Sequence, residues 1–240
     1  MKILVVNDDG LNFEGLNILV RVAKNFGQVF VSVPYKHQSA TSNSITIKSK
    51  INVYQNINPI EGSEKTILVD GTPTDCVRVA HKLYKDSFDL VLSGINDGPN
   101  LATDILYSGT VGAAREAAIL GIPAIALSAP RNYYENLENN LYLVLNEVLS
   151  KNLQHEVDML NINFPQVAEP LGLKWTKQGK RIFFADFNHI KDESYKVVYS
   201  IVNYDEDTDV DSVAVDNNYI AITPLKVDQT DYEKLEKYSK

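Results

Sequence analysis

Lys2-Ile3-Leu4-Val5-Val6-Asn7-Asp8-Asp9-Gly10 opens the chain. Its aliphatic, partly β-branched run is a strand pattern, and the polar residues behind it form a strand-end loop. Leu16, Leu19, Val20 and Ala23 then recur at helical spacing, Gly27 is placed to stop that helix, and residues 28–33 form a buried-strand pattern halted by Pro34. Strand, acidic loop, helix and strand make a βαβ unit, which implies a parallel sheet with a right-handed crossover. Ligands of open α/β sheets bind at the carboxyl ends of the strands. Asp8 and Asp9 stand at that edge. Adjacent carboxylates repel each other, and keeping both ionised in a partly dry cleft is costly unless a cation neutralises them. A plainer reading makes one a helix cap and the other a solvated loop residue.

Outward from this unit, residues 44–54 alternate apolar and polar side chains and read as an extended ribbon outside the main sheet. Residues 66–69 form a short strand. Thr72-Pro73-Thr74-Asp75 is a helix start, with Thr72 as N-cap, Pro73 in the first turn and Asp75 as capping partner. Residues 89–92 are a further strand entering Ser93-Gly94-Ile95-Asn96-Asp97-Gly98-Pro99-Asn100, a loop whose Gly, Asn and Pro content commits it to turns. An alanine-rich helix runs from Ser108 to Leu120, followed by a strand over 123–127 and a helix over 133–150. Beyond 150 the style changes to strand-like pieces (159–164, 173–176, 197–202, 219–222), an acidic loop at 205–211 and a short charged helix from Tyr232. The domain reading is accordingly 1–150 as a Rossmann-like catalytic core, with 151–240 completing the core and extending outward.

The bulk properties narrow the function. The chain has 240 residues, 44% hydrophobic and 22% charged, which is ordinary for a globular protein. Its net charge of −8 argues against general nucleic-acid binding. No apolar run approaches the length of about 18 residues that a membrane helix requires, and Asp8 and Asp9 interrupt any signal-peptide pattern. The single cysteine, Cys76, can form no internal disulfide and reads as a buried, inert thiol. A cytoplasmic location is the expectation.

Three further polar segments fall at strand ends. His37-Gln38-Ser39-Ala40-Thr41-Ser42-Asn43-Ser44 follows the second strand and lies beside the acidic loop, so its hydroxyls and amides can face Asp8 and Asp9. Asn96 sits in the glycine-flanked loop. Tyr107-Ser108-Gly109-Thr110 opens the alanine-rich helix, and a helix N-terminus with free N–H groups and hydroxyls is a natural phosphate site. Each segment alone is also readable as surface loop, turn or cap. Their common placement makes the joint case. No Walker or nucleophile-elbow pattern is present in the sequence.

With Asn7-Asp8-Asp9-Gly10, these segments appear in a characteristic order together with Gly71-Thr72-Pro73-Thr74-Asp75-Cys76, Leu160-Asn161-Ile162-Asn163, Thr176-Lys177-Gln178-Gly179 and Tyr219-Ile220-Ala221-Ile222-Thr223-Pro224-Leu225. Over nearly its whole length the chain resembles the SurE family, the stationary-phase survival proteins that act as metal-dependent 5′-nucleotidases. The resemblance implies a three-layer αβα sandwich, Rossmann-like with a mostly parallel sheet, and a β-rich C-terminal extension that exchanges segments in a homodimer and in some cases builds a homotetramer. It implies one divalent cation per subunit, Mg²⁺ or Mn²⁺, on Asp8, Asp9, Ser39 and Asn96. It assigns the substrate phosphate to Ser108, Gly109 and Thr110 with help from Asn43. Ala40, Ala102 and Asn218 stand where the family pattern has glycine, and Tyr35 where it has an acid.

The expected reaction is hydrolysis of nucleoside 5′-monophosphates, with 3′-nucleotides and short polyphosphate as further substrates by family analogy. The cation polarises a phosphoryl oxygen and lowers the pKa of a water that Asp8 or Asp9 orients or deprotonates. Two rivals are weighed against it. A receiver-like signalling domain also has paired acids after its first strand, with Asp70 as phosphoacceptor and Ser128 as switch hydroxyl, but Asp70 opens Gly71-Thr72-Pro73 and the expected later lysine is missing. The other rival is a nucleotide-binding module without turnover.

Overall fold

The computed structural model describes residues 1–85, 88–203 and 205–239. Its core follows the alternation of the first strand. In β1 (Lys2–Val6), Ile3 and Val5 enter one hydrophobic cluster while Leu4 and Val6 enter another, so the strand is buried on both faces. That is the signature of a central strand covered by helices above and below. The first cluster is closed by α1 (Glu14–Ala23) and α4 (Leu137–Ser150), the second by α2 (Pro73–Leu83) and α3 (Gly109–Ile119). The result is the expected three-layer α/β sandwich.

The sheet has nine strands. With β2 (Gln28–Pro34), β3 (Val53–Tyr54), β4 (Lys65–Val69), β5 (Leu90–Asp97), β6 (Ala124–Ala129), β7 (Met159–Asn163), β8 (Leu173–Trp175) and β11 (Ile220–Leu225), the order is β3-β4-β2-β1-β5-β6-β7-β11-β8. β1 pairs in parallel with both β2 and β5, which places their carboxyl ends, and the loops behind them, side by side. β9 (Arg181–Lys191) and β10 (Ser194–Asn203) form a separate antiparallel hairpin, and α5 (Asp211–Asp216) and α6 (Tyr232–Tyr238) complete the chain. No helix among the described residues is long and apolar enough to cross a membrane.

Local signals account for several boundaries. Thr72 caps α2 by accepting from Asp75 N–H, while the Asp75 carboxylate accepts from Thr72 N–H, the reciprocal box expected from Thr72-Pro73-Thr74-Asp75. Ser108 caps α3 by accepting from Val111 N–H at 3.1 Å.

Three expectations are corrected. Residues 44–54 do not form a ribbon: only Val53–Tyr54 is a strand, and it pairs with β4 inside the main sheet. The rest is pinned to the start of α2 by Thr46, which donates from N and Oγ1 to Asp75, and by Thr72 Oγ1 on Ser44 O. Its alternating Ile47 is 79% exposed and has no core to enter. Second, residues 93–97 do not turn; β5 continues to Asp97, with Asn96 and Asp97 in register with Ser128 and Ala129. The irregularity falls on Gly94 (φ +139°), where a Cβ would lie 2.3 Å from Leu127 O. Glycine there lets the strand deform without ending. Third, the acidic loop stops at Val210, and Asp211 already belongs to α5.

Candidate functional site

The carboxyl ends of β1 and β5 meet the first turn of α3. Asp8 and Asp9 are buried, with 5% and 7% exposure. Asn7 shapes their loop by donating from Nδ2 to Gly10 O at 2.8 Å and accepting from Gly10 N–H at 3.1 Å. Thr110, on the first turn of α3 and fully buried, donates to Asp8 Oδ1 at 2.5 Å and lies 3.4 Å from Asn96 Oδ1. Asn96 Nδ2 donates to Gly98 O at 2.6 Å, which turns the amide so that its carbonyl faces Thr110. Asp8, Asn96 and Thr110 thus form one contact group.

Asp9 anchors a second. Its Oδ2 accepts from Asp97 N–H at 3.2 Å, and its Oδ1 lies 3.4 Å from His37 Nδ1. The other ring nitrogen of His37 is hydrogen-bonded to Ser39 Oγ. Ser39 therefore reaches the acid pair through His37. His37 also stacks on Phe13, with ring centroids 5.9 Å apart.

The phosphate candidates are close by, with one exception. The position of a Cβ on Gly109 would lie 2.8 Å from Thr41 Oγ1 and 3.2 Å from both Asp8 Cβ and Asp8 Oδ2. The missing side chain leaves a cradle between the helix start and the acid. Asn43 stands further along α3: its Nδ2 lies 3.5 Å from Glu116 Oε2, and its buried Oδ1 has no partner among the described residues.

Burial and repulsion dominate the electrostatics. Asp8 is pushed up to about 6, first by burial and then by Asp9, against the opposing hydrogen bond from Thr110. Asp9 is raised too, chiefly by burial, while the Asp97 N–H, His37 and Arg131 act the other way. Buried paired carboxylates of this kind suit a hard cation. Among the described residues no three His, Cys, Asp or Glu side chains gather as a metal-holding group. A cation here must therefore draw on neutral oxygens beside the two acids, and Asn96 Oδ1 and Ser39 Oγ are of that kind. The residues fit Mg²⁺ or Mn²⁺ better than a softer metal.

Distant segments seat the corner that leads into α3. Asp211 accepts from Ala102 N–H at 2.8 Å, Gly179 N–H at 3.0 Å and Ser212 N–H at 2.7 Å. Gln178 Nε2 donates to Ala102 O at 3.0 Å, and Arg181 pairs with Asp104. Asn100 is held by Asn163, Ser128 and Asn161 in a fully buried polar knot. Ala40, Ala102 and Asn218 all take positive φ (56°, 53° and 64°), so the positions where glycine was expected do require left-handed backbone.

The receiver reading fails on geometry. Asp70 follows β4 and Ser128 lies in β6, with β2, β1 and β5 between them, and Ser128 is buried against Asn100. Cys76 is fully buried and its thiol is pushed up by burial, as expected of an inert side chain. The sequence reading missed Asp97, Thr41 and the link from His37 to Asp9. Asp97 has no motif of its own; its adjacency to Asn96 was the available signal.

Comparison with known proteins places the chain in a family and agrees with its fold. The family model described as survival protein SurE matches residues 3–185. A protein of Gemmatimonas aurantiaca named 5′-nucleotidase SurE is 39% identical, with 96% of this chain and 94% of that one covered. Its namesake in Pelotomaculum thermopropionicum is 38% identical over 100% of this chain and 95% of its own length. The crystal structure of the SurE protein from Aquifex aeolicus superposes with a TM-score of 0.82 at 35% identity, covering 99% of this chain and 98% of that one.

Proposed function

The chain belongs to the SurE family, and from that premise we propose that it is a metal-dependent 5′-nucleotidase, hydrolysing nucleoside 5′-monophosphates to nucleoside and phosphate. One observation carries the reading: the Thr110 hydroxyl, in the first turn of α3, bonds directly to the buried Asp8 carboxylate at 2.5 Å. A group suited to holding a phosphate and a group suited to holding a cation thus share one contact. When bound to Asp8, Asp9, Ser39 and Asn96, a divalent cation such as Mg²⁺ or Mn²⁺ supplies positive charge for the phosphate and lowers the pKa of the attacking water.

The protein's own groups supply the rest. The N-terminal N–H groups of α3 and the Ser108 and Thr110 hydroxyls surround the cradle left open by Gly109, where a phosphoryl group is held and its growing charge steadied. Water adds to phosphorus, the ester P–O bond breaks, and the proton released by water ends on the departing 5′ oxygen. Asp8 and Asp9 are the buried carboxylates that face this site. Either can take the water's proton.

The same site accommodates 3′-nucleotides and short polyphosphate, since the phosphoryl group is the common element. The β9–β10 hairpin exposes Phe187, Ile190, Tyr195 and Tyr199, each more than half exposed. This apolar surface supports a homodimer, or a homotetramer, built through the hairpin. The test of the activity is phosphate release from nucleoside monophosphates with Mg²⁺ or Mn²⁺ and with chelator. Asp9→Asn should lose metal-dependent turnover and keep the fold. Near-normal turnover in that variant overturns the assignment.

A further inference from the structure

The segment behind β6 enters the site as described only through the charge of Arg131 on Asp9. It carries Arg131, an exposed side chain with no hydrogen bond or ion pair among the described residues. Its place is nevertheless determined. Asn132 N–H donates to Asp97 Oδ1 at 2.7 Å, and Tyr134 OH donates to the same oxygen at 3.2 Å. Asp97 N–H in turn donates to Asp9 Oδ2 at 3.2 Å, so one residue ties this loop to the acid pair. Asn132 takes φ +54° and bends the chain directly after Arg131. The arginine stem then lies across Gly98: its Cγ and Nε stand 3.6 and 3.4 Å from the position of a Cβ on that glycine, and Asn96 Nδ2 stands 3.9 Å from the same point.

The guanidinium placed beside Asn96 has no hydrogen bond or ion pair among the described residues, so its N–H donors are open to a ligand. Its charge acts on Asp9 at a distance, whereas α3 opens on the Asp8 side. A phosphate dianion approaching two carboxylates is repelled, and a planar guanidinium with free N–H donors answers that repulsion in matching geometry. Resting on the phosphatase reading above, we propose that Arg131 is a substrate-binding residue that takes a phosphoryl oxygen from the Asp9 side of the site, across from the start of α3.

The experiment compares wild type, Arg131→Ala and Arg131→Lys in the metal-loaded protein. Two substrates are used, a nucleoside monophosphate and p-nitrophenyl phosphate, which carries no base or ribose. Calorimetric binding of inorganic phosphate and of an uncharged nucleoside is measured alongside. Arg131→Ala is expected to lower kcat/KM by roughly tenfold to a hundredfold for both substrates, as for loss of a charge-assisted hydrogen bond. It should weaken inorganic phosphate by a similar factor and leave nucleoside binding unchanged, with Arg131→Lys intermediate. A loss confined to the nucleotide, with p-nitrophenyl phosphate and inorganic phosphate unaffected, would place Arg131 at the base or ribose and overturn the proposal. Unchanged values throughout would make it a solvated surface residue and overturn it equally. If wild type turns over neither substrate, the phosphatase reading fails by itself, while the phosphate-binding arm still decides whether Arg131 holds the anion.

Discussion

Thr110 Oγ1 donates to Asp8 Oδ1 at 2.5 Å, joining the start of α3 to the end of β1 across 102 residues of chain. The hydroxyl favours the ionised acid, and it does so inside a fully buried contact where a hydrogen bond is stronger than in water. Thr110→Val keeps the shape and removes this donor. Asp8, already near 6, should then titrate higher. With metal chelated, the Asp8 carboxyl is expected to titrate at higher pH in Thr110→Val, and an NMR titration of the carboxyl checks it. An unmoved titration would show that the Thr110 bond does not favour the ionised acid.

The raised Asp8 also has a cost in stability. A carboxyl held at about 6 when folded, against an ordinary value of 3.8, binds more protons in the folded state between those values. Its penalty is absent below the unfolded value, grows as pH rises and is complete above the folded value. With metal chelated, Asp8→Asn should be more stable than wild type near pH 7.5 by up to about 3 kcal/mol. The advantage should fade as pH falls through about 6 toward 4, measured by denaturant unfolding at each pH. An Asn variant less stable than wild type at pH 7.5 would contradict this account.

Gly109→Ala separates the helix from the site. Alanine is the better helix former, yet its Cβ would come within 2.8 Å of Thr41 Oγ1 and 3.2 Å of Asp8 Oδ2. The expected result is a loss in kcat/KM on the order of a hundredfold from a small misplacement of reacting groups, with circular dichroism essentially unchanged. Full activity in this variant would mean that the cradle is not where the phosphate binds.

Ala40 is exposed and holds φ +56°. Left-handed backbone costs an L-residue roughly 1–2 kcal/mol, and glycine's greater unfolded-state entropy offsets part of the relief. Ala40→Gly should therefore stabilise the protein by about 0.5–1 kcal/mol, seen as a Tm rise of roughly 2 °C. Because Ala40 adjoins Ser39, turnover should be assayed in parallel.

Much of this was legible from residue patterns. The β1–α1–β2 unit followed from aliphatic spacing, and the caps at Thr72 and Ser108 from side chains that satisfy free N–H groups. Both acids, Asn96 and the Ser108–Thr110 turn were placed at the correct edge because strand ends in a parallel sheet converge there. The misreadings have physical causes. Residues 44–52 alternate, but Ile45 and Ile47 stay exposed while Ile51 packs against the core, and residues 93–97 contain turn formers that the register with β6 overrides. β9 escaped notice because Asp186, Asn188 and His189 interrupt its apolar run, whereas residues 197–202 of its partner β10 carry a clear one. Arg131 belongs to no motif; its location comes from the bond of its neighbour Asn132 to Asp97, 35 positions earlier.

The corner before α3 is seated by partners far ahead of it in the chain: Asn163 for Asn100, and Asp211 for Ala102, across 63 and 109 residues. A ribosome delivers both acids, Asn96 and the whole of α3 well before either partner has emerged. A nascent chain stopped at residue 200 would hold every side chain named for the reaction and still lack the carboxylate that sets Ala102. Long-range closures of this kind come late in folding, so catalytic competence waits until residue 211 has emerged.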